Sequence, residues 1–127
     1  MEINSIHTND APEPIGPYSQ AIESNGFIFT SGQIAINPAT GELVQKDVIE
    51  QARTVIENLK AVLKAADSGL EQVVKTTIYL KDMDDFPNVN AVYAEYFNQT
   101  QPARSTVEVS RLPKNVLIEM DCIASKK

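Results

Sequence analysis

Residues 102–121 read PARSTVEVSRLPKNVLIEMD, two alternating stretches joined by Ser-Arg-Leu-Pro-Lys-Asn. Successive side chains of a strand point to opposite faces. In the first stretch Ser105, Val107 and Val109 therefore share one face and Arg104, Thr106 and Glu108 the other. In the second, Val116, Ile118, Met120 and Cys122 make an apolar face, with Leu117, Glu119, Asp121 and Ile123 opposite. The alternation predicts strands over 103–109 and 116–124. Paired directly as a hairpin with their apolar faces together, they would bring Arg104, Thr106 and Glu119 to one side. Thr106 would then lie opposite Glu119, and Arg104 diagonally from it, roughly 7–8 Å away at the backbone. Such a gap suits a small molecule held between a guanidinium and a carboxylate. It suits equally an exposed ion-pair cluster with Glu108 and Asp121, contributing ~0–1 kcal/mol. Spacing alone leaves both open.

Working outward, residues 21–31 read as a β-hairpin about Asn25-Gly26, a pair that accepts the positive φ angles of a tight turn. Residues 34–36 extend its second strand before Asn-Pro-Ala-Thr-Gly turns the chain at 37–41. A helix is predicted over 47–66: Val48, Ala52, Val55, Leu59, Val62 and Ala66 recur in alternating steps of four and three. Asp47 is placed to cap its first turn and Gly69 lies just past its end. Residues 73–80 are β-branched and aromatic enough for a strand. A second helix over 87–97 would bury Val89, Val92, Tyr93, Tyr96 and Phe97. The order of elements implies an α+β fold, a mixed β-sheet with two helices packed on one face. Too few elements remain to cover the other face, so the chain is expected to do so by forming an oligomer.

The chain has 127 residues, enough for one hydrophobic core and too few for two, so a single domain over 1–127 is expected. Its net charge of −6 and lack of a polybasic run disfavour nucleic acid and anionic lipid as partners, while leaving room for a local cationic pocket. Residues 1–14 lack the basic and apolar segments of a signal peptide, and no apolar run approaches the ~20 residues of a membrane span. Cys122 is the single cysteine and suits a reducing cytoplasm. With His7 also alone, no zinc ligand set is present, and no phosphate-binding glycine loop is found. No metal or cofactor is expected.

Four blocks carry a family resemblance: Ile15-Gly16-Pro17-Tyr18-Ser19-Gln20-Ala21, Phe29-Thr30-Ser31-Gly32-Gln33, Pro102-Ala103-Arg104-Ser105, and Ile118-Glu119-Met120, together with Asn90 ahead of Val92-Tyr93. In these the chain resembles the reactive-intermediate deaminases of the RidA/YjgF type over essentially its whole length. The resemblance implies a chorismate-mutase-like fold and a homotrimer with a barrel-like core and ligand clefts between subunits. It implies hydrolytic deamination of 2-imino and enamine acids, such as 2-iminopropanoate and 2-iminobutanoate, to 2-oxo acids and ammonia. Arg104 would grip the substrate carboxylate through its planar fork of donors. Glu119 would position a water and take its proton, the better if burial raises its pKa.

The same resemblance makes Tyr18, Ser31, Gly32, Asn90 and Thr106 substrate-binding residues. From the residues alone, Tyr18 is equally a turn aromatic closing the core, Ser31-Gly32 a plain strand end, and Asn90 an ornament of the second helix. Tyr93 and Phe97 read as core and His7 as a surface or strand histidine. Thr106 departs from the family, where many members carry a cysteine; its hydroxyl can still donate, but thiol chemistry at that position is excluded. Cys122 is expected to pack on the apolar face. The alternative function is a trimeric, non-catalytic binding module for 2-oxo or short carboxylic acids.

Overall fold

The structure, a computed structural model, describes residues 2–127. Its strands are β1 (Ile3–Ile6), β2 (Ala21–Ser24), β3 (Phe27–Thr30), β4 (Val73–Leu80), β5 (Ala103–Glu108) and β6 (Ile118–Ser125); its helices are α1 (Val48–Ala65) and α2 (Phe86–Phe97). The strands form one mixed sheet in the order β1-β2-β3-β6-β4-β5, with both helices on one face. Among the described residues no helix is long and apolar enough to cross a membrane.

The β2–β3 turn is set by Asn25 and Gly26, both at positive φ, as that dipeptide requires. Residues 34–36 do not continue β3; Gln33 and Ile36 form only isolated bridges, to Met120 and Leu43. Two buried amides of α1 hold this irregular segment instead. Asn58 Nδ2 donates to Ile36 O at 2.9 Å, and Gln51 Nε2 to Val44 O at 3.1 Å, while Gln51 Oε1 accepts from Leu117 N at 2.9 Å. Asp47 caps α1 by accepting from Glu50 N at 3.0 Å. At the other end Asp67, at φ 56°, makes the left-handed turn, while Gly69 just beyond it is extended. The apolar stripe of α1 packs on Ile118, Met120 and Ala124 of β6 and on the buried side of β4. Tyr96 is only partly buried, its hydroxyl donating to Glu57 Oε2 at 2.9 Å.

The expectation with most bearing on the site also fails. β5 and β6 are not a hairpin: β4 lies between them, parallel to β5 and antiparallel to β6. β4, α2 and β5 make a β-α-β unit, whose crossover helix returns the chain parallel to its start. Segment 109–117 then carries the chain past β4, across two strand spacings or roughly 10 Å, before β6 enters the sheet. Registers Ile78↔Thr106 and Ile78↔Met120 align Thr106 and Arg104 with the helix-covered face, whereas Tyr79↔Glu119 and Tyr79↔Val107 align Glu119 with Val107 on the open one. Arg104 and Glu119 therefore project from opposite faces, and neither the shared site nor the ion-pair cluster exists within one chain. Phe27, Phe29 and Val107 stand exposed on the open face.

Leu59→Ala, which opens a void under the sheet, should cost 2–5 kcal/mol in denaturant unfolding. Asp47→Ala, which removes only the cap, should cost ~1 kcal/mol.

Candidate functional site

The open end of β6 borders a cavity of about 510 Å³ lined by Ile15, Tyr18, Ser31, Gly32, Lys114 and Glu119, among others. Glu119 reaches it because β6 alternates: Ile118 and Met120 are buried under the helices, so the residue between them must face away. Gly32 is the floor against which the carboxylate lies. A Cβ there would collide with Glu119 Oε2 and come within 2.9 Å of Cδ. The glycine is needed for close approach, since its φ lies outside the left-handed region.

The Glu119 carboxyl titrates above its ordinary range, chiefly because burial penalises the charge and secondly because Asp121 stands near. Asp121 is raised by burial too, although the Tyr79 hydroxyl, donating to its Oδ2 at 3.1 Å, and Lys75 favour its charged form. Glu119 has no such help. Among the described residues no hydrogen bond or ion pair holds its carboxylate, which leaves a half-buried base free to bind a water or ligand proton.

Tyr18 is 52% exposed and lines this cavity rather than closing the core. Ser31 lines it as well, but its hydroxyl is committed, donating to Ser19 O at 2.6 Å. Lys114 and Ile15 were not foreseen. Lys114 sits at φ 56° and is followed by Asn115 at φ 57°, an unusual left-handed pair after Pro113 that brings the lysine to the cavity.

A second group gathers on the other face, at the sheet edge beside α2. Arg104 NH1 donates to Asn90 Oδ1 at 2.7 Å, and its guanidinium lies over Tyr93 and Phe86, 4.8 and 5.2 Å from the ring centroids. Such stacking fixes the fork in direction and stabilises its charge. The rest of the guanidinium is exposed and makes no ion pair among the described residues. Thr106, on the same strand face, has a buried Oγ1 with no hydrogen-bond partner. Asn90 is thus an orienting partner of Arg104, while Tyr93 and Phe97 are core, as expected. Tyr93 does both jobs: its hydroxyl hydrogen-bonds Thr76 at 2.8 Å beneath the guanidinium.

Two other expectations hold. Cys122 is buried, its thiol pushed up to about 12 by burial, and it packs on the helix face. His7 is exposed and paired with Glu13 at 2.6 Å. The candidate residues therefore form two half-sites: Tyr18, Ser31, Gly32 and Glu119 in the cavity, and Arg104, Asn90 and Thr106 at the edge.

A family model described as Endoribonuclease L-PSP matches residues 8–126. The chain is 58% identical over 122 residues to a RutC family protein of Pyrococcus horikoshii, covering 96% of this chain and 97% of the relative. Among solved structures it is similar to YyfA of Yersinia pestis, from the conserved Rid protein family, with 50% identity, a TM-score of 0.95, and 98% and 99% of the two chains covered. It is similar also to Escherichia coli TdcF with bound serine, with 42% identity, a TM-score of 0.93, and the same coverage.

Gly32→Ala tests the seat of Glu119. The added methyl should push the carboxylate out of the cavity and return its titration, followed by carbon NMR, toward the ordinary ~4.3 of a glutamate. The thermal midpoint should stay close to wild type, because the displaced atoms end a flexible side chain.

Proposed function

The chain belongs to the Rid/YjgF-type family, whose model is described as Endoribonuclease L-PSP, and on that premise we propose that it hydrolyses reactive 2-imino and enamine acids, such as 2-iminopropanoate and 2-iminobutanoate, to 2-oxo acids and ammonia in the cytoplasm. The observation that carries this reading is a pair of uncommitted charges: a half-buried carboxylate with a raised pKa, and a guanidinium oriented on two aromatic rings without an acidic partner. A 2-imino acid needs both.

In this reading Arg104 grips the substrate carboxylate through two parallel N–H donors, with Asn90 keeping the fork in place. Thr106 Oγ1, buried and unpartnered, gains a partner in the ligand. Glu119 accepts a proton from a water as its oxygen attacks the carbon of the protonated C=N group, giving a tetrahedral amino alcohol. Glu119 then passes that proton to the amine nitrogen and takes the hydroxyl proton as the C–N bond breaks, so that ammonia leaves and the C=O of the 2-oxo acid forms; the proton left on Glu119 goes to solvent. Tyr18 and the backbone of Ser31-Gly32 line the space in which this happens. The serine bound to TdcF supports a small amino-acid-like ligand. It also suits the alternative of a binding module without turnover, which the Glu119 variant below separates.

Because Arg104 and Glu119 leave opposite faces of the sheet, the reading requires two subunits per site. A homotrimer, with the open faces turned inward as a barrel-like core, would cover Phe27, Phe29 and Val107 and set the Arg104 edge of one subunit against the Glu119 cavity of the next. Nucleic acid and membranes have no part in it, in keeping with a net charge of −6.

With 2-aminoacrylate generated by a serine dehydratase and semicarbazide as competing trap, wild type should release pyruvate and ammonia ahead of the trap, and Arg104→Ala and Glu119→Gln should not. Glu119→Gln should still bind 2-oxobutanoate; a wild type no faster than buffer overturns the enzyme reading. Co-refolding the two variants in equal amounts should restore about one quarter of the wild-type sites, since random assembly pairs an intact arginine with an intact glutamate that often. No restoration would place both residues in one subunit's site.

Glu119 acts unprotonated, so kcat/KM should fall as pH drops through a value above the ordinary carboxylate ~4.3, and Glu119→Gln should lack that limb. Stability moves the opposite way. A raised carboxyl binds its proton more tightly when folded, so stability declines as pH rises through the folded pKa, and Glu119→Gln should melt higher than wild type at neutral pH.

A further inference from the structure

We infer that the buried amide of Gln20 is the positioning residue that holds the outer wall of the Glu119 cavity, and so sets how tightly substrate is seated against Tyr18. Its kinetic consequence rests on the hydrolase reading above; its structural consequence does not.

The wall is segment 8–19, which contains no helix or strand yet supplies Pro12, Ile15 and Tyr18 to the cavity. Little apolar burial anchors it. Ile15 is 74% exposed and Tyr18 52%, and within the segment only Ala11 is buried. The outer pair His7–Glu13 is exposed, and such pairs contribute ~0–1 kcal/mol. An irregular segment must satisfy its backbone polar groups some other way.

Gln20 does so from beneath. It is 1% exposed; its Oε1 accepts from Thr8 N at 2.7 Å, and its Nε2 donates to Thr8 O at 3.0 Å, Pro12 O at 2.9 Å and, more weakly, Ala11 O at 3.4 Å. One side chain thus accepts from one backbone N–H and, with two N–H groups, serves Thr8 O and Pro12 O and shares a weaker contact with Ala11 O; an ionised glutamate has nothing to donate. The same residue is tied to the cavity floor. Gln20 O accepts from Ser31 N at 2.9 Å, and Ser31 Oγ donates to Ser19 O at 2.6 Å. Gln33 exchanges both backbone bonds with Met120, at 2.8 and 3.1 Å, beside Glu119. Hydrogen bonds therefore tie the wall, through Gln20, to Ser31, and the backbone Ser31-Gly32-Gln33 continues from there to bonds with the strand carrying the base.

The test compares wild type, Gln20→Met, Tyr18→Ala and the double variant. Methionine keeps the buried volume and removes all four side-chain bonds. In the free protein, amide exchange over 8–19 should quicken at least ten-fold in Gln20→Met while β4 and β6 keep their protection. With 2-iminobutanoate, KM should rise about ten-fold with kcat within three-fold, the mark of lost binding rather than lost chemistry. Tyr18→Ala should cost less in the Gln20→Met background than alone, because the wall that presents Tyr18 is already loose. Unchanged exchange over 8–19, or fully additive costs, overturns the inference. So does global unfolding of Gln20→Met, which would make the amide a support of the whole fold. If wild type proves inactive the hydrolase reading falls, and the exchange result still decides whether Gln20 holds the wall.

Discussion

Strand β6 is bonded along both edges, to β3 on one side and β4 on the other, and nearly everything about the site depends on that double pairing. A strand bonded on both sides cannot rotate or slip without exposing Ile118, Met120, Cys122 and Ala124 together. Glu119 is thereby forced onto the open face, half out of water, with its charge penalised and its carboxylate resting on Gly32. The raised pKa is a consequence of sheet register. Among the described residues none bonds its carboxylate to relieve it, whereas Asp121, two positions on, has a tyrosine hydroxyl for that purpose.

Arg104 depends on the opposite circumstance. β5 is an edge strand, bonded only to β4, so its side chains meet α2 at the rim of the helix layer and not in the core. There the guanidinium finds two aromatic faces and one amide oxygen, enough to orient it without neutralising it. Among the described residues the base has no ion-pair partner and neither has the cation, and on opposite faces of one sheet the two are incomplete apart. The uncovered aromatic residues Phe27 and Phe29 give the same sheet a physical reason to associate, and association is what would bring the two halves together.

The irregular segments beside these elements are held chiefly by polar bonds, while the helices and sheet are held by the apolar core. Asn58 and Gln51 tie the irregular segment before α1 to that helix, and Gln20 ties the segment before β2 to the cavity floor. Buried amides suit this work because each carries donors and an acceptor, and irregular backbone offers both kinds of partner.

Local pattern determined much of this. The alternation in 116–124, the four-and-three spacing of α1 and the Asn-Gly turn each follow from the geometry of one segment, and each element is found, the strand starting two residues late at Ile118. The motifs shared with a family named most of the residues that the structure gathers at the two candidate half-sites, but not Lys114. Which strands neighbour each other was not. The short link from β5 to β6 suggested a hairpin, but α2 first returns the chain parallel to β4, and β6 buries its apolar face best at the centre of the sheet, between β3 and β4. That decision, made by the burial of the whole sheet and invisible in any one segment, moved Arg104 to the face opposite Glu119. Gln20 was missed for a related reason: its partners are backbone atoms 8–12 residues away, and backbone atoms leave no trace in sequence.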